Sequence, residues 1–432
     1  MIRKHSFRGA MAGFAASALA LAVSAQAFAG TVTTDGADIV VKTKGGLEVS
    51  TVDKEFSFKL GGKLQWDVTN FDGLRAANED TPFDDTFNSF IRRGEISLEG
   101  TAYKNWGYGF RLSHNSDDGT NFDRAFFTYG GLDFVDLTIG KFGADYGLEN
   151  TTSSSWITGI ERPFMYDFLN GDEDIDFGVS AMHTGANYGL MARVATYGNK
   201  SDNDEAFGYT LRANFAPYLD GNNVVHLGAN YHSNNPDDDR ARVRTRMGLR
   251  SDGDERVEFT DTRVADSDTE WVLEAGAQFG GLRAQAEYFQ RKVEGETLGG
   301  DNADVDVDGY YAQIGYMFNG VRGYKAGAGK WDKPSEAGAV EVFARYENST
   351  IDGDAASVVG DMIGGVTPAN ISDEFEAKAM VVGINYFPTK AVRMSLNYVD
   401  YEVDNIDTSA QIDGENVQDD GKAIVGRLQY VF

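Results

Sequence analysis

The chain has 432 residues, with 39 Lys+Arg against 67 Asp+Glu and a formal net charge of −28, which argues against nucleic acid as its partner. It has no cysteine, so neither a disulfide framework nor a thiolate metal site is open to it. Past the first thirty residues no run of 18 apolar residues occurs, which excludes a transmembrane helix and leaves a chain rich in Gly and aromatics without an obvious continuous core.

The N-terminus reads as a secretory signal over residues 1–29. Arg3, Lys4 and Arg8 form a positive start, Ala10 to Val23 is an apolar stretch too short to span a membrane, and Ala27-Phe28-Ala29 is a small-x-small cleavage site. Residues 30–54 form a short segment before the first strand and carry Lys42, Lys44 and Lys54. From Glu55 the period becomes two. Phe56, Phe58, Leu60, Leu64, Trp66 and Val68 alternate with polar residues, as in a strand with one apolar and one polar face.

That pattern recurs in sixteen segments: 55–68, 90–99, 106–113, 122–129, 135–142, 177–183, 186–197, 207–216, 223–232, 270–279, 282–290, 310–318, 340–347, 377–387, 392–399 and 422–432. Short connections such as 184–185 and Gly280-Gly281 alternate with long ones such as 143–176, 233–269 and 348–376. Short turns on one rim, long loops on the other and an even strand count predict a 16-stranded antiparallel transmembrane β-barrel over 55–432. A soluble sandwich would turn its apolar faces inward and would not keep the alternation of connections. Here the polar face lines a wet lumen. Ile424, Gly426, Leu428, Tyr430 and Phe432 share one face of a closing strand.

Within the long connection 233–269 stand Arg240, Arg242, Arg244, Arg246 and Arg250, separated by Ala241, Val243, Thr245, Met247 and Leu249. An extended chain places the arginines on one side and the mostly apolar residues on the other, in a row roughly 33 Å long at ~3.3 Å per residue. Guanidinium is permanently charged and matches phosphate or carboxylate with a planar fork of donors, so the row could pass an anion from site to site. The competing reading is a solvated basic segment. Residues 319–339 lie on the short-turn side yet are long, and they carry Lys325, Lys330 and Lys333. If both segments fold inward, arginines line the outer half of the lumen and lysines the inner half.

Other motifs carry little. Asp304-Val-Asp306-Val-Asp308-Gly309 imitates a calcium loop, but Gly315 stands where the bidentate Glu belongs. Gly327-Ala-Gly-Lys330 lacks the first Gly and the Ser/Thr of a phosphate-binding loop. No Ser-His-Asp or zinc spacing emerges, and Thr151-Thr-Ser-Ser-Ser155 has no neighbouring His to act as a base. The expectation is a channel without catalytic step, cofactor or metal.

The segments Thr33–Val40, Asp53–Gly62, Ile91-Arg-Arg93, Gly100–Tyr103, Asn223–Gly228, Arg246–Arg250 and Arg427–Phe432 resemble the phosphate- and polyphosphate-selective porins of Gram-negative outer membranes. The resemblance runs over the whole chain past the signal. It implies a homotrimer of sixteen-stranded barrels embedded in outer-membrane lipid, an arginine ladder on an inward-folded outer loop, a central anion site and a periplasmic lysine cluster. The expected cargo is inorganic phosphate, polyphosphate or another small anion, and the runner-up reading is a weakly selective general diffusion porin. Lys42, Lys44, Lys54 and Lys59 resemble the family's periplasmic lysines. Arg92, Arg93 and Arg162 resemble its central arginines, with Asp123 and Ser153 near the constriction. Two departures stand out. Asn150 replaces a central lysine, and Glu95 replaces an aromatic residue; both make the constriction less favourable to an anion.

Because Arg92 and Arg93 are adjacent, a regular strand would aim one of them away from the lumen, and only a bulge or local twist would bring both inward. Glu95 and Asp123 are expected to stand against them, with Arg124 as a possible compensation on the lumen side.

Overall fold

The computed structural model describes residues 31–34, 37–43, 46–76, 86–115, 119–171, 177–198, 205–235, 239–250, 257–296, 302, 304–353, 374–406, 408, 411–412, 415–416 and 418–432. The signal expected over 1–29 and Lys44 lie outside them, as do the side chains of Arg240 and Arg242.

Three short strands, β1 (Thr31–Thr34), β2 (Ala37–Lys42) and β3 (Leu47–Thr51), form an antiparallel meander that ends against the barrel's first strand, β4 (Ser57–Phe71). The wall continues through β5 (Thr86–Ala102), β6 (Trp106–Asn115), β7 (Gly119–Tyr129), β8 (Asp136–Lys141), β9 (Phe177–Thr184), β10 (Tyr188–Gly198), β11 (Glu205–Asp220) and β12 (Asn223–Asn235). After β13 (Asp239–Thr245) come β14 (Val257–Phe279), β15 (Leu282–Glu296) and β16 (Val305–Phe318). A small hairpin, β17 (Arg322–Lys325) and β18 (Lys330–Pro334), precedes β19 (Ala339–Gly353), β20 (Glu374–Phe387) and β21 (Val392–Asp404). The two-residue strands β22 (Gln411–Ile412) and β23 (Glu415–Asn416) pair with each other before β24 (Asp420–Val431). β24 pairs with β4 and closes the cylinder, so sixteen antiparallel strands form the wall. All sixteen coincide with the segments expected from the alternation.

Alternation also sets which face is which. Along β21 and β24, Met394, Leu396, Tyr398, Ile424, Leu428 and Tyr430 point outward, while Arg393, Asn397, Arg427 and Gln429 are buried inside. Outward aromatics meet across neighbouring strands. Trp106–Tyr129, Tyr218–Phe279 and Tyr430–Phe432 lie toward the short-turn rim, and Tyr209–Tyr231 and Trp271–Tyr288 toward the other. Two such belts around an apolar band are what lipid interfaces select in transmembrane barrels.

The long-loop half of the lumen is not polar throughout. Val272, Phe289, Val305, Val307, Ile351, Phe375, Val399 and Val403 point inward and pack with Ile160, Phe164, Met165 and Phe168 of the connection after β8. Val243, Met247, Leu249, Val257 and Phe259 join the same cluster. This apolar cluster fills the lumen side of β14–β16 and β19–β21. Inward residues on β5–β7, among them Arg93, Glu95, Ser97, Arg111, Asp123 and Arg124, remain partly exposed.

Candidate functional site

The connection from Phe142 to Gly171 enters the barrel and crosses it. A single helical turn, α1 (Leu148–Thr151), has no side-chain cap of its own. The Glu287 carboxylate on β15 supplies one, accepting from the amides of Leu148 at 2.7 Å and Glu149 at 3.1 Å, where it meets two otherwise unsatisfied donors. Past this turn the chain lies against the inner faces of β19–β21, β24 and β4.

At mid-lumen, β5 carries a bulge. Gln65 pairs with Arg93 and Trp66 with Ile91, so Arg92 is the extra residue and both arginines turn inward. The acid they meet is Glu161, from the inserted connection, and not Glu95 or Asp123 as expected. Arg92 makes a fork to Glu161 at 3.0 and 3.3 Å, Arg93 Nη2 lies 3.7 Å from it, and Arg427 donates to it at 2.5 Å. Arg427 also forms two 2.7 Å bonds to Asp67. Glu161 was not legible as a partner, because it lies 69 and 266 residues from Arg92 and Arg427 in a connection without periodicity.

A second bulge sits on β7. Arg111 pairs with Arg124 and Leu112 with Phe122, so Asp123 is the extra residue and turns inward beside Arg124. Arg111 bonds to Asp123 at 3.1 Å and lies 3.5 Å from Glu95, which pairs with Lys63 at 2.9 Å. Lys63 also donates to Ser154 Oγ at 2.5 Å. Glu95 thus opposes Lys63 and Arg111, and sequence reasoning missed both cations, although each stands at an inward position of its strand. Arg111, 24% exposed, is the more open to water; Arg93 is 14% and Arg92 8% exposed. Arg162 donates to the carbonyls of Asn150 and Thr152 at 3.1 and 3.3 Å. Ser153, on the same turn, is exposed.

The arginine row is part of the wall. β12 covers the lower half of the 23-residue β14, and β13 takes over the same edge above it. The row is not extended to its end, however. Pairing, with register shifts before Ala241 and before Arg244, stops at Thr245, and Met247 and Gly248 have φ of 52° and 69°, a turn that redirects Arg250. A residue with a Cβ is strained at such angles, which suits glycine at 248. Arg250 then bonds to Asp167 at 3.2 Å, and the Arg246 amide donates to the same carboxylate at 2.9 Å. Ala241, Val243, Thr245, Met247 and Leu249 are all buried. Register places the backbone of Arg242 opposite Asp261 and that of Arg244 opposite Glu258.

At the other rim the β17–β18 hairpin folds into the lumen. Arg212 donates to the carbonyls of Ala328 and Gly329, each at 2.8 Å, and Tyr324 meets His226 at 2.7 Å. Lys325 pairs with Asp332 at 3.1 Å, Lys330 stands 3.9 Å from Asp145, and Lys333 is exposed. Lys42 bonds to Glu48 at 2.8 Å. That bond lowers the Glu48 pKa, and the charges of Lys42, Lys59 and Lys54 lower it further, so these lysines gather round one carboxylate. Among the described residues no group of three or more His, Asp or Glu is arranged to hold a metal.

The profile of the family described as phosphate-selective porin O and P matches residues 58–432. Porin O of Pseudomonas aeruginosa is 43% identical over 465 aligned positions that cover all of both chains. Among solved structures, the anion-selective porin from Comamonas acidovorans overlays with a TM-score of 0.53 at 16% identity, over 88% of this chain and 100% of that one. In-vitro folded OmpT of Vibrio cholerae, in its trimer form, overlays with a TM-score of 0.50 at 13% identity, over 87% and 99%. At these identities the overlays speak for the fold alone.

Proposed function

The chain belongs to the family of phosphate-selective porins O and P, and from that premise we propose that it is a passive outer-membrane channel for small anions, with phosphate or short polyphosphate preferred. It works as a homotrimer without a catalytic step. The observation that carries the anion reading is the pair of bulges at Arg92 and Asp123. Regular strands would send one residue of each adjacent pair outward, whereas the bulges put Arg92, Arg93, Asp123 and Arg124 inside beside Arg111, three of these four being cations. Charge is therefore concentrated where the inserted connection narrows the passage.

The mechanism is electrostatic focusing followed by exchange of hydration for N–H donors. The outer arginines draw an anion into the vestibule, the partly exposed Arg93, Arg111 and Arg162 receive it, and Lys325, Lys330, Lys333, Lys42, Lys54 and Lys59 draw it out. Several sites of moderate strength suit conduction better than one strong site. The acid partners Glu161, Glu95, Asp123 and Asp167 keep each site moderate, and they favour a second reading, a channel with only weak anion preference. Reversal potentials of the purified protein in planar bilayers across a salt gradient, with phosphate block of chloride current, decide between the two. Equal cation and anion permeability with no block by phosphate leaves the second reading.

A further inference from the structure

The inserted connection is held by its backbone. Eight consecutive carbonyls, from Ser154 to Glu161, accept hydrogen bonds from seven side chains of the wall and the inner hairpin, Asn385 joining Arg393 on Thr158. Gln65 reaches Ser154 at 3.3 Å, Gln429 reaches Ser155 at 3.1 Å, and Arg322 reaches Trp156 at 3.0 Å. Arg427 takes Ile160 at 2.5 Å and Arg345 takes Glu161 at 3.1 Å. Arg393 takes the three between, Ile157, Thr158 and Gly159, at 2.8, 2.7 and 3.0 Å. These bonds are made to the backbone, so apart from the bare Cα needed at Gly159 no motif in the sequence marks them.

Arg393 differs from its neighbours. Arg322, Arg345 and Arg427 each pair with a carboxylate, whereas the remaining donors of Arg393 go to Asn385 Oδ1 at 2.9 Å and Ser395 Oγ at 2.8 Å. It is fully buried, and its guanidinium lies 5.9 Å from the Phe387 ring centre. A buried cation satisfied by loop carbonyls is stable only while the loop is there, since withdrawal would leave several donors desolvated and unmade. Among the described residues, the carbonyl of Gly159 has no other partner. Cation and loop therefore hold each other.

We propose that Arg393 is the positioning residue of the channel. It fixes the inserted connection against β20 and β21, and so sets the bore left open along β5–β7, without touching the anion itself. The proposal rests on the channel reading above. The test compares single-channel records of the unsubstituted protein, Arg393→Ala and Arg393→Lys in planar bilayers. The folded state of each is checked by heat-modifiable mobility on gels. The expected result is a larger and noisier open-state current in Arg393→Ala, with reduced discrimination between chloride and potassium, and an intermediate record for Arg393→Lys, which keeps the charge but not the fork. A purely structural role would lower heat resistance and leave the current of the folded channels steady.

Gly159→Ala disturbs the same stretch of the loop from its other side, because a Cβ there would lie 2.8 Å from Arg345 Nη1 and 2.8 Å from the Glu161 carbonyl oxygen. If Arg393→Ala fails to fold, Arg393→Lys and Gly159→Ala decide. Currents as steady and as selective as the original in the folded variants overturn the proposal. An unsubstituted channel without anion preference would sink the anion reading instead, and the comparison of current noise would stand.

Discussion

Glu95→Gln tests the centre of the passage most directly. The carboxylate lies 2.9 Å from Lys63 Nζ and 3.5 Å from Arg111 Nε, and so occupies the place between two cations that an entering anion would take. For a singly charged phosphate held ~5 Å from it, the repulsion is about 3 kcal/mol at an effective dielectric of ~20 and about 1 kcal/mol in water. Neutralising the group should strengthen phosphate binding by roughly fivefold to roughly a hundredfold. The lower part of that range is expected, because Arg111 is 24% exposed and salt screens it. The change also costs something. Lys63 would keep Ser154 Oγ but lose its carboxylate, a loss of about 1–3 kcal/mol for a mostly buried charge. The assay is titration of chloride current with phosphate in planar bilayers, with Glu95→Asp as the charge-preserving control. Unchanged block in folded Glu95→Gln would show that Lys63 and Arg111 lie off the anion's path and refute the reasoning.

Three further outcomes follow from the same geometry. Asn150→Lys should strengthen phosphate block in the same titration, because residue 150 sits on the turn whose carbonyl Arg162 holds at 3.1 Å. Arg242→Ala with Arg244→Ala should lower anion preference in reversal-potential measurements, more so at low salt, where charges are less screened; an unchanged potential would make the row a surface feature. Lys42 and its neighbours lower the Glu48 pKa, so Glu48 stays ionised until the pH falls below the usual carboxylate range, and there it gives up its favourable pairing. Anion preference should therefore rise on acidification of that rim, and Glu48→Gln should show the raised preference already at neutral pH and lose this response.

The barrel was legible because a strand's period of two survives along most of the wall, and the face that meets lipid must be apolar whatever else the chain does. The row from Arg240 was legible to Thr245 for the same reason; beyond it, Met247 and Gly248 turn the chain, and a positive φ at a methionine leaves no periodic mark. The two bulges were half legible. Adjacent charges at 92 and 93, and at 123 and 124, signal that alternation fails there, but not which residue is extra. The partners were illegible. Glu161 and Arg427 are 266 residues apart, and Arg393 binds carbonyls, which every sequence has. What could be read was periodic and local. What could not was a meeting between a loop without period and a wall far from it in sequence.

Glu161→Gln separates the two tasks given to one carboxylate. Glu161 tempers three guanidinium groups, Arg92, Arg93 and Arg427, and it also ties the inserted connection to β5 and β24. The glutamine keeps the shape and can accept one bond, but it leaves Arg92 without an acid in a site where its side chain is 8% exposed. Removing one partner of a buried pair typically costs about 3–5 kcal/mol, so heat resistance should fall. Loss of a negative charge beside three cations should raise anion preference, whereas loss of the tie should make the current noisier. Arg393→Ala loosens the connection and removes a cation, so its noise should rise while its anion preference falls. Opposite shifts in reversal potential with a shared rise in noise are the expected signature. If both variants shift the reversal potential the same way, loosening of the connection outweighs the change in charge, and the charge-tempering task given to Glu161 is wrong.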